Sequence, residues 1–170
     1  IKVTPGVMPR YVPPCGTACP AGTDVQGYIA LAGAGRYEDA YRLIRQSNPF
    51  PSVCGRICNH PCQAACNRND LDESVGIRDI KRFVADKAFE NGMPVVEKKR
   101  KSNGKKIAVI GAGPSGLSCA YYLQLSGYSV EVFESESVAG GVLAYGIPEY
   151  RLPKAVLNRD IQAIEATGVQ

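Results

Sequence analysis

The chain has 170 residues, 45% hydrophobic and 21% charged, with a net charge of +4. This is the composition of a globular protein, and no apolar run approaches the ~20 residues a membrane-spanning helix needs. The charge is too mild to predict nucleic-acid or membrane attraction, and Ile1 to Pro14 lacks the long apolar stretch of a signal peptide. The expected setting is therefore cytoplasmic, where the seven cysteines point to metal ligation rather than disulfides.

A Pro-rich lead from Thr4 to Pro14 opens a cysteine-bearing half that extends to about Asn91. Thr23 and Asp24 predict the cap of a helix through Val25, Tyr28, Ile29 and Leu31, which Gly33 and Gly35 end. Arg36 to Ser47 predicts a second helix with Tyr37, Ala40, Tyr41 and Ile44 on one face. A third runs from about Ser74 to Glu90, where Ile77, Ile80, Val84 and Ala88 recur at helical spacing before Asn91-Gly92. The cysteines are then expected in the loops and short turns between helices.

Gly92, Pro94 and the basic run from Lys98 to Gly104 mark a linker, dividing a helical domain (1–100) from a second domain (101–170). The run Lys98-Lys99-Arg100-Lys101, followed by Lys105-Lys106, reads as a solvated linker that also offers an acidic redox partner a landing site. Beyond it, Lys106 to Ile110 is a short strand, Ser115 to Leu125 a helix and Ser129 to Phe133 a second strand. That order predicts a βαβ unit with a parallel sheet. An irregular stretch over Leu143–Pro153 and a helix from about Ala155 to Thr167 follow.

Gly111-Ala112-Gly113-Pro114-Ser115-Gly116 places G-x-G-x-x-G after a strand and at the opening of a helix. Gly111 permits the tight turn, Gly113 leaves room for a pyrophosphate against the backbone, and Gly116 lets helix and strand pack closely. The free N–H groups and positive end of the helix face the phosphates. Glu134 ends the second strand 23 residues after Gly111, where an acid accepts hydrogen bonds from adenosine ribose hydroxyls. Cys119 is expected simply to pack within the helix.

The segment Gly140-Gly141-Val142-Leu143-Ala144-Tyr145-Gly146-Ile147-Pro148-Glu149-Tyr150-Arg151-Leu152-Pro153 closely resembles the stretch after the first βαβ unit in the glutamate synthase small subunit and in the flavin portion of dihydropyrimidine dehydrogenase. The resemblance implies FAD at the glycine motif, NAD being the alternative. Its contacts are carried over to Gly111, Ala112, Gly113, Pro114 and Ser115, to the run from Glu134 through Gly140, Gly141 and Val142, and to Arg151. Arg151 offers a guanidinium to a phosphate or flavin oxygen. The family also sets a residue of the cluster loop beside the flavin, and that position is Ile57.

Cys15 and Cys19 are spaced C-x3-C-P, and Cys54, Cys58, Cys62 and Cys66 follow at four-residue intervals. Four-residue spacing suits one helix face, but Pro61 lacks the amide hydrogen an uninterrupted helix needs, so the segment must bend. Six thiolates gathered by short turns suit an iron–sulfur cluster, with zinc as the alternative because it takes the same ligands. His60, the only histidine, reads as a turn residue before Pro61, ligation being the lesser option.

This half resembles the same family, whose N-terminal helical domain carries two [4Fe-4S] clusters. Asn48-Pro49-Phe50-Pro51 and Cys54-Gly55-Arg56-Ile57-Cys58 match its cluster segment. The family opens with C-x2-C-x4-C-x3-C-P, whose first two cysteines fall on Val7 and Arg10, so one cluster keeps only Cys15 and Cys66. The other keeps Cys19, Cys58 and Cys62, while its fourth position, Gln or Glu in the family, falls on Lys81, whose ammonium has no lone pair. The expectation is a single [4Fe-4S] cluster on Cys19, Cys58, Cys62 and one of Cys54, Cys15 or Cys66.

The resemblance implies an α-helical iron–sulfur domain followed by the start of an α/β Rossmann-like FAD-binding domain with an incomplete sheet. It also implies an oxidoreductase subunit in which NAD(P)H reduces FAD and electrons pass through the cluster to a larger catalytic or redox subunit. No residue reads as a general acid or nucleophile, so no catalytic side chain is expected. A third strand would just begin at Val169-Gln170, which predicts a fragment of a longer subunit. The alternative is a non-catalytic, metal-stabilised module that docks onto a larger redox subunit.

Overall fold

The computed structural model describes residues 12–92, 97 and 99–170. The family cysteine positions at Val7 and Arg10, and Pro94 of the linker, lie outside them. In the first half, α1 (Pro14–Thr17) is followed by α2 (Val25–Gly33), where the Asp24 carboxylate accepts the Gly27 N–H at 2.8 Å. That bond satisfies one of the amides a helix start leaves unpaired. In α3 (Tyr37–Arg45), Glu38 and Asp39 occupy the first turn and Arg42 and Arg45 the last, which complements the helix dipole.

The cysteine segment folds as α4 (Pro51–Ile57), α5 (Pro61–Ala64) and a 3-10 turn (Asn67–Asp70), before α6 (Ile77–Glu90). Here the structure departs from expectation: Cys15, Cys54 and Cys62 lie within short helices, and only Cys19, Cys58 and Cys66 lie outside them. The reason is that Pro14, Pro51 and Pro61 each stand at a first helical position, where a missing N–H is harmless and the fixed φ favours initiation. The bend before Pro61 is made by His60, in the left-handed region at φ 48°. Tyr28, Tyr41, Ile44, Val84 and Ala88 form the core of this half, and the Tyr28 hydroxyl donates to the Ile77 carbonyl at 3.1 Å.

The second half is β1 (Lys106–Ile110), α7 (Pro114–Leu125) and β2 (Ser129–Phe133), with β1 and β2 parallel and Lys106 opposite Ser129. Gln170 accepts from Val132 N at 2.6 Å and donates to Val130 O at 3.0 Å, extending the ladder where a third strand was expected to begin. The stretch read as irregular contains α8 (Val142–Tyr145), and α9 (Lys154–Glu165) closes the unit. On α7, Leu117, Ala120 and Tyr121 face the core, so Cys119 projects outward and is exposed, contrary to the packing expected of it.

The halves are packed into each other. Phe50 and Val53 of the cysteine segment join Leu117, Tyr121, Leu157 and Ile164 in one apolar core. A Cβ on Gly55 would come within 2.8 Å of the Arg82 backbone, so glycine is what lets α4 lie this close to α6. From α9, buried Asp160 accepts Val53 N at 2.9 Å and Ser52 N at 3.4 Å. Arg45, fully buried, pairs with Glu97, donates to the Ala163 carbonyl at 3.1 Å and stacks 4.9 Å from the Tyr121 ring centre. Such partners are what make a buried guanidinium tolerable. Among the described residues no helix is long and apolar enough to cross a membrane.

Candidate functional site

The first corner is the glycine loop. Gly111 sits at φ 98°, a conformation L side chains resist, and turns the chain from β1 into α7. A Cβ on Gly116 would lie 2.0 Å from the Gly111 carbonyl oxygen, so α7 can start here only on glycine. Gly113 is the opposite case: nothing stands within 4 Å of where its Cβ would be, which leaves open space before the first turn of α7. Among the described residues no side chain caps that turn, which leaves its amides to an anion.

Glu134 reaches this loop directly. One carboxylate oxygen accepts Ala112 N at 2.7 Å, and the other accepts Ser135 N at 2.8 Å and Glu136 N at 3.1 Å. The amides of Glu136, Ala112 and Ser135 hold its carboxyl below the usual range. Gly140 N donates to Ala112 O at 2.8 Å and Gly141 packs against Gly113, so the Gly-Gly segment lies across the loop beside Pro114 and Ser115, with Val142 exposed at its end. Arg151 lies in another cleft, with Arg56, Arg78 and Arg82.

The second corner is built on the cysteines. Burial, and then the nearby Cys62, Cys19, Cys15 and Cys58 thiols, push the hydroxyl on the Tyr28 ring far above its ordinary pKa. Lys81, only 7% exposed, stands 5.7 Å from the centre of the same ring. Its charge acts on Cys19, Cys54 and Cys62. Burial pushes the Cys54 and Cys62 thiols up, against the opposing pull of Lys81. Cys19 goes the other way: burial raises it, but the Thr23 amide and hydroxyl, the Ala21 amide and Lys81 together bring it below its ordinary value. The N–H of His60 donates to Cys58 Sγ at 3.3 Å.

Cys15 and Cys66 also line an apolar cavity of about 430 Å3 with Val25 and Ile29, and Cys15 packs against the same core as Tyr28 and Cys62. Burial raises Cys15, and Cys66 adds to the effect. Amides and a cation directed at thiol sulfurs suit bound thiolates, so the donor set around Cys19, Cys58 and Cys62 fits an iron–sulfur group. Among the described residues no three His, Cys, Asp or Glu side chains lie close enough together to share a single metal ion.

Between the two corners lies an apolar cavity of about 370 Å3. Phe50, Cys54 and Ile57 form one wall, and Pro114, Ser118 and Tyr122 of α7 form the other.

A family profile described as dihydropyrimidine dehydrogenase domain II, 4Fe-4S cluster, matches residues 10–93, and one described as an NAD(P)-binding Rossmann-like domain matches residues 109–166. The glutamate synthase [NADPH] small chain of Bacillus subtilis is 38% identical over 171 residues, 91% of this chain and 34% of that protein. The chain belongs to the glutamate synthase small-chain family. Its fold is a helical 4Fe-4S domain followed by the start of a Rossmann-like domain.

Relatives with other names match the chain over similar lengths. The NADPH-Fe(3+) oxidoreductase subunit beta of Geobacter sulfurreducens is 44% identical over 163 residues, 94% of this chain and 24% of that protein. The NADP(+)-dependent formate dehydrogenase subunit beta of Moorella thermoacetica is 43% identical over 182 residues, 95% of this chain and 26% of that protein. The chain thus spans 24% to 34% of the length of these three relatives.

Sequence reasoning missed Asp160, which ties α9 to α4, and Asp86, which accepts from Arg56 at 2.8 and 3.0 Å. One signal was available for the first. Asp160 lies three residues after Leu157 and four before Ile164, on the apolar face of its helix, and a carboxylate there must find donors.

Proposed function

We propose that this chain is the cluster- and flavin-binding portion of an NAD(P)H-dependent oxidoreductase subunit that passes electrons to a larger redox partner. Residues 1–100 form the cluster domain and residues 101–170 open the FAD domain. The observation that carries the reading is the apolar cavity shared by Cys54 and Ile57 on one side and Pro114, Ser118 and Tyr122 on the other. The cysteine segment and the dinucleotide helix form opposite walls of this one apolar-lined space. The family resemblance supports FAD, and the names of the relatives support NADPH as the donor.

When bound, FAD and the cluster supply the conversion of a two-electron donor into single-electron transfers. The protein's own residues hold and shield. Amides from Gly111 to Gly116 cup the diphosphate, Glu134 accepts from the ribose hydroxyls, and Gly140, Gly141 and Val142 cover the loop. Phe50 and Ile57 keep water from the gap. Cys19, Cys58 and Cys62 hold one [4Fe-4S] cluster with a fourth thiolate from Cys54, Cys15 or Cys66. Arg151, which lines a separate cleft, is not part of the diphosphate cradle.

Anaerobic reconstitution of the full-length subunit with iron, sulfide and FAD tests this reading. Structured flavin bands over a broad cluster absorption, with about four irons at this cluster site, are expected. A colourless protein that retains zinc would overturn it in favour of a metal-stabilised docking module.

A further inference from the structure

A cleft of about 240 Å3 lies outside both cofactor corners. Arg56 of α4, Arg78, Asp79 and Arg82 of α6, and Tyr150 and Arg151 from the segment before α9 line it. Arg78 and Arg82 share one face of α6 because they are four residues apart. Three separate segments thus bring four guanidiniums to one small space against a single lining carboxylate.

The nearby acids do not neutralise them. Asp86 serves Arg56 at 2.8 and 3.0 Å, Arg82 at 3.7 Å and Arg159 at 3.9 Å, so its two oxygens are divided among three cations. Asp79 reaches Arg78 only at 3.8 Å. Arg151 makes no side-chain hydrogen bond or ion pair among the described residues. Like charges this close repel, and the surplus calls for an anion.

The forks are also held in place. Arg56, with its side chain only 10% exposed, is fixed by Asp86 and by the Ser52 carbonyl at 3.3 Å. Arg78 donates to the Cys58 carbonyl at 3.3 Å. Guanidiniums arriving from three segments suit a tetrahedral dianion, whose several oxygens accept from several directions, better than a planar carboxylate. The volume lies below the ~300–1,000 Å3 of a site for a whole drug-sized ligand.

We propose that this cleft is a binding site for a doubly charged phosphate group, presented as free phosphate or as the terminal monoester of a nucleotide. Tyr150, 90% exposed at the rim, offers a ring and a hydroxyl to whatever carries the phosphate. The inference stands on these residues and not on the flavin assignment.

The test is titration of the full-length protein, as purified, with inorganic phosphate, NADPH and NADH at matched chloride, read by calorimetry. Saturable phosphate binding is expected, weakened roughly tenfold or more in Arg82→Gln, the loss of one charge-assisted hydrogen bond. Asp79→Asn removes the repelling carboxylate and tightens binding, a gain that misfolding cannot produce. Arg36→Gln, on an exposed pair elsewhere, leaves it unchanged. NADPH competing with phosphate where NADH does not identifies the source as the nucleotide monoester; neither competing identifies free phosphate. Absence of saturable phosphate binding, or equal affinity in wild type, Arg82→Gln and Asp79→Asn, overturns the proposal. The flavin absorbance of the same samples reports separately on the cofactor reading.

Discussion

Asp160 on α9 and Val53 on α4 are joined by a 2.9 Å hydrogen bond from the Val53 amide to a fully buried carboxylate. Burial pushes that carboxyl up to about 7, against the Val53 and Ser52 donors and the Arg45 charge. The folded value lies above the unfolded one of about 3.9, so the native state holds the proton more tightly. The associated stability is complete below about pH 4 and is lost as pH rises through about 7. Thermal unfolding from pH 5 to 8 should show a declining Tm that Asp160→Asn flattens; parallel curves for the two proteins would contradict the assignment.

Gly116 and Gly113 should respond differently to the same added methyl. Gly116→Ala drives a Cβ into the Gly111 carbonyl and should cost about 1–3 kcal/mol in denaturant unfolding, as overpacking does. Gly113→Ala meets no protein atom, so it should unfold like wild type yet retain less flavin, because the methyl occupies the phosphate approach.

Lys81 is a buried cation among Cys19, Cys54 and Cys62. It favours whichever cluster state is more negative. Replacing it with Met should move the one-electron reduction equilibrium toward the oxidised form by at least tenfold, about 59 mV. A redox titration followed by electron paramagnetic resonance reads this, and an unchanged midpoint would remove Lys81 from the cluster environment.

The fourth cluster ligand is expected to be Cys54. It shares the field of Lys81 and Cys58, whereas Cys15 and Cys66 line a different cavity. The double variant Cys15→Ser/Cys66→Ser should therefore keep about four irons per chain, while Cys54→Ser and Cys58→Ser lose them. Iron loss in the double variant with retention in Cys54→Ser would reverse the choice.

The glycine loop, Glu134 and the strand–helix–strand order were legible because each follows from local rules: a turn that excludes side chains, a helix start that attracts phosphate, and an acid at a strand end. The short helix holding Cys62 escapes the sequence because Pro61 reads as an interruption, whereas at a first helical position it initiates; Pro51 does the same for the helix holding Cys54. Contacts between distant residues left almost no trace. Nothing about Arg45 says that it will lie under Tyr121 and donate to Ala163, 118 residues later, and the arginine cleft exists only once α4 and α6 are brought together over Gly55.

Phe50 and Val53 lie just before and within the cysteine segment, yet they are buried in the apolar core of the dinucleotide unit. The cysteine segment is therefore bolted to its neighbour, not carried on a swinging arm. On the proposed function, the tunnelling gap between cluster and flavin would be a constant of the packed interior, and traffic through it would be governed by driving force and by the arrival of donor and acceptor at the outer ends.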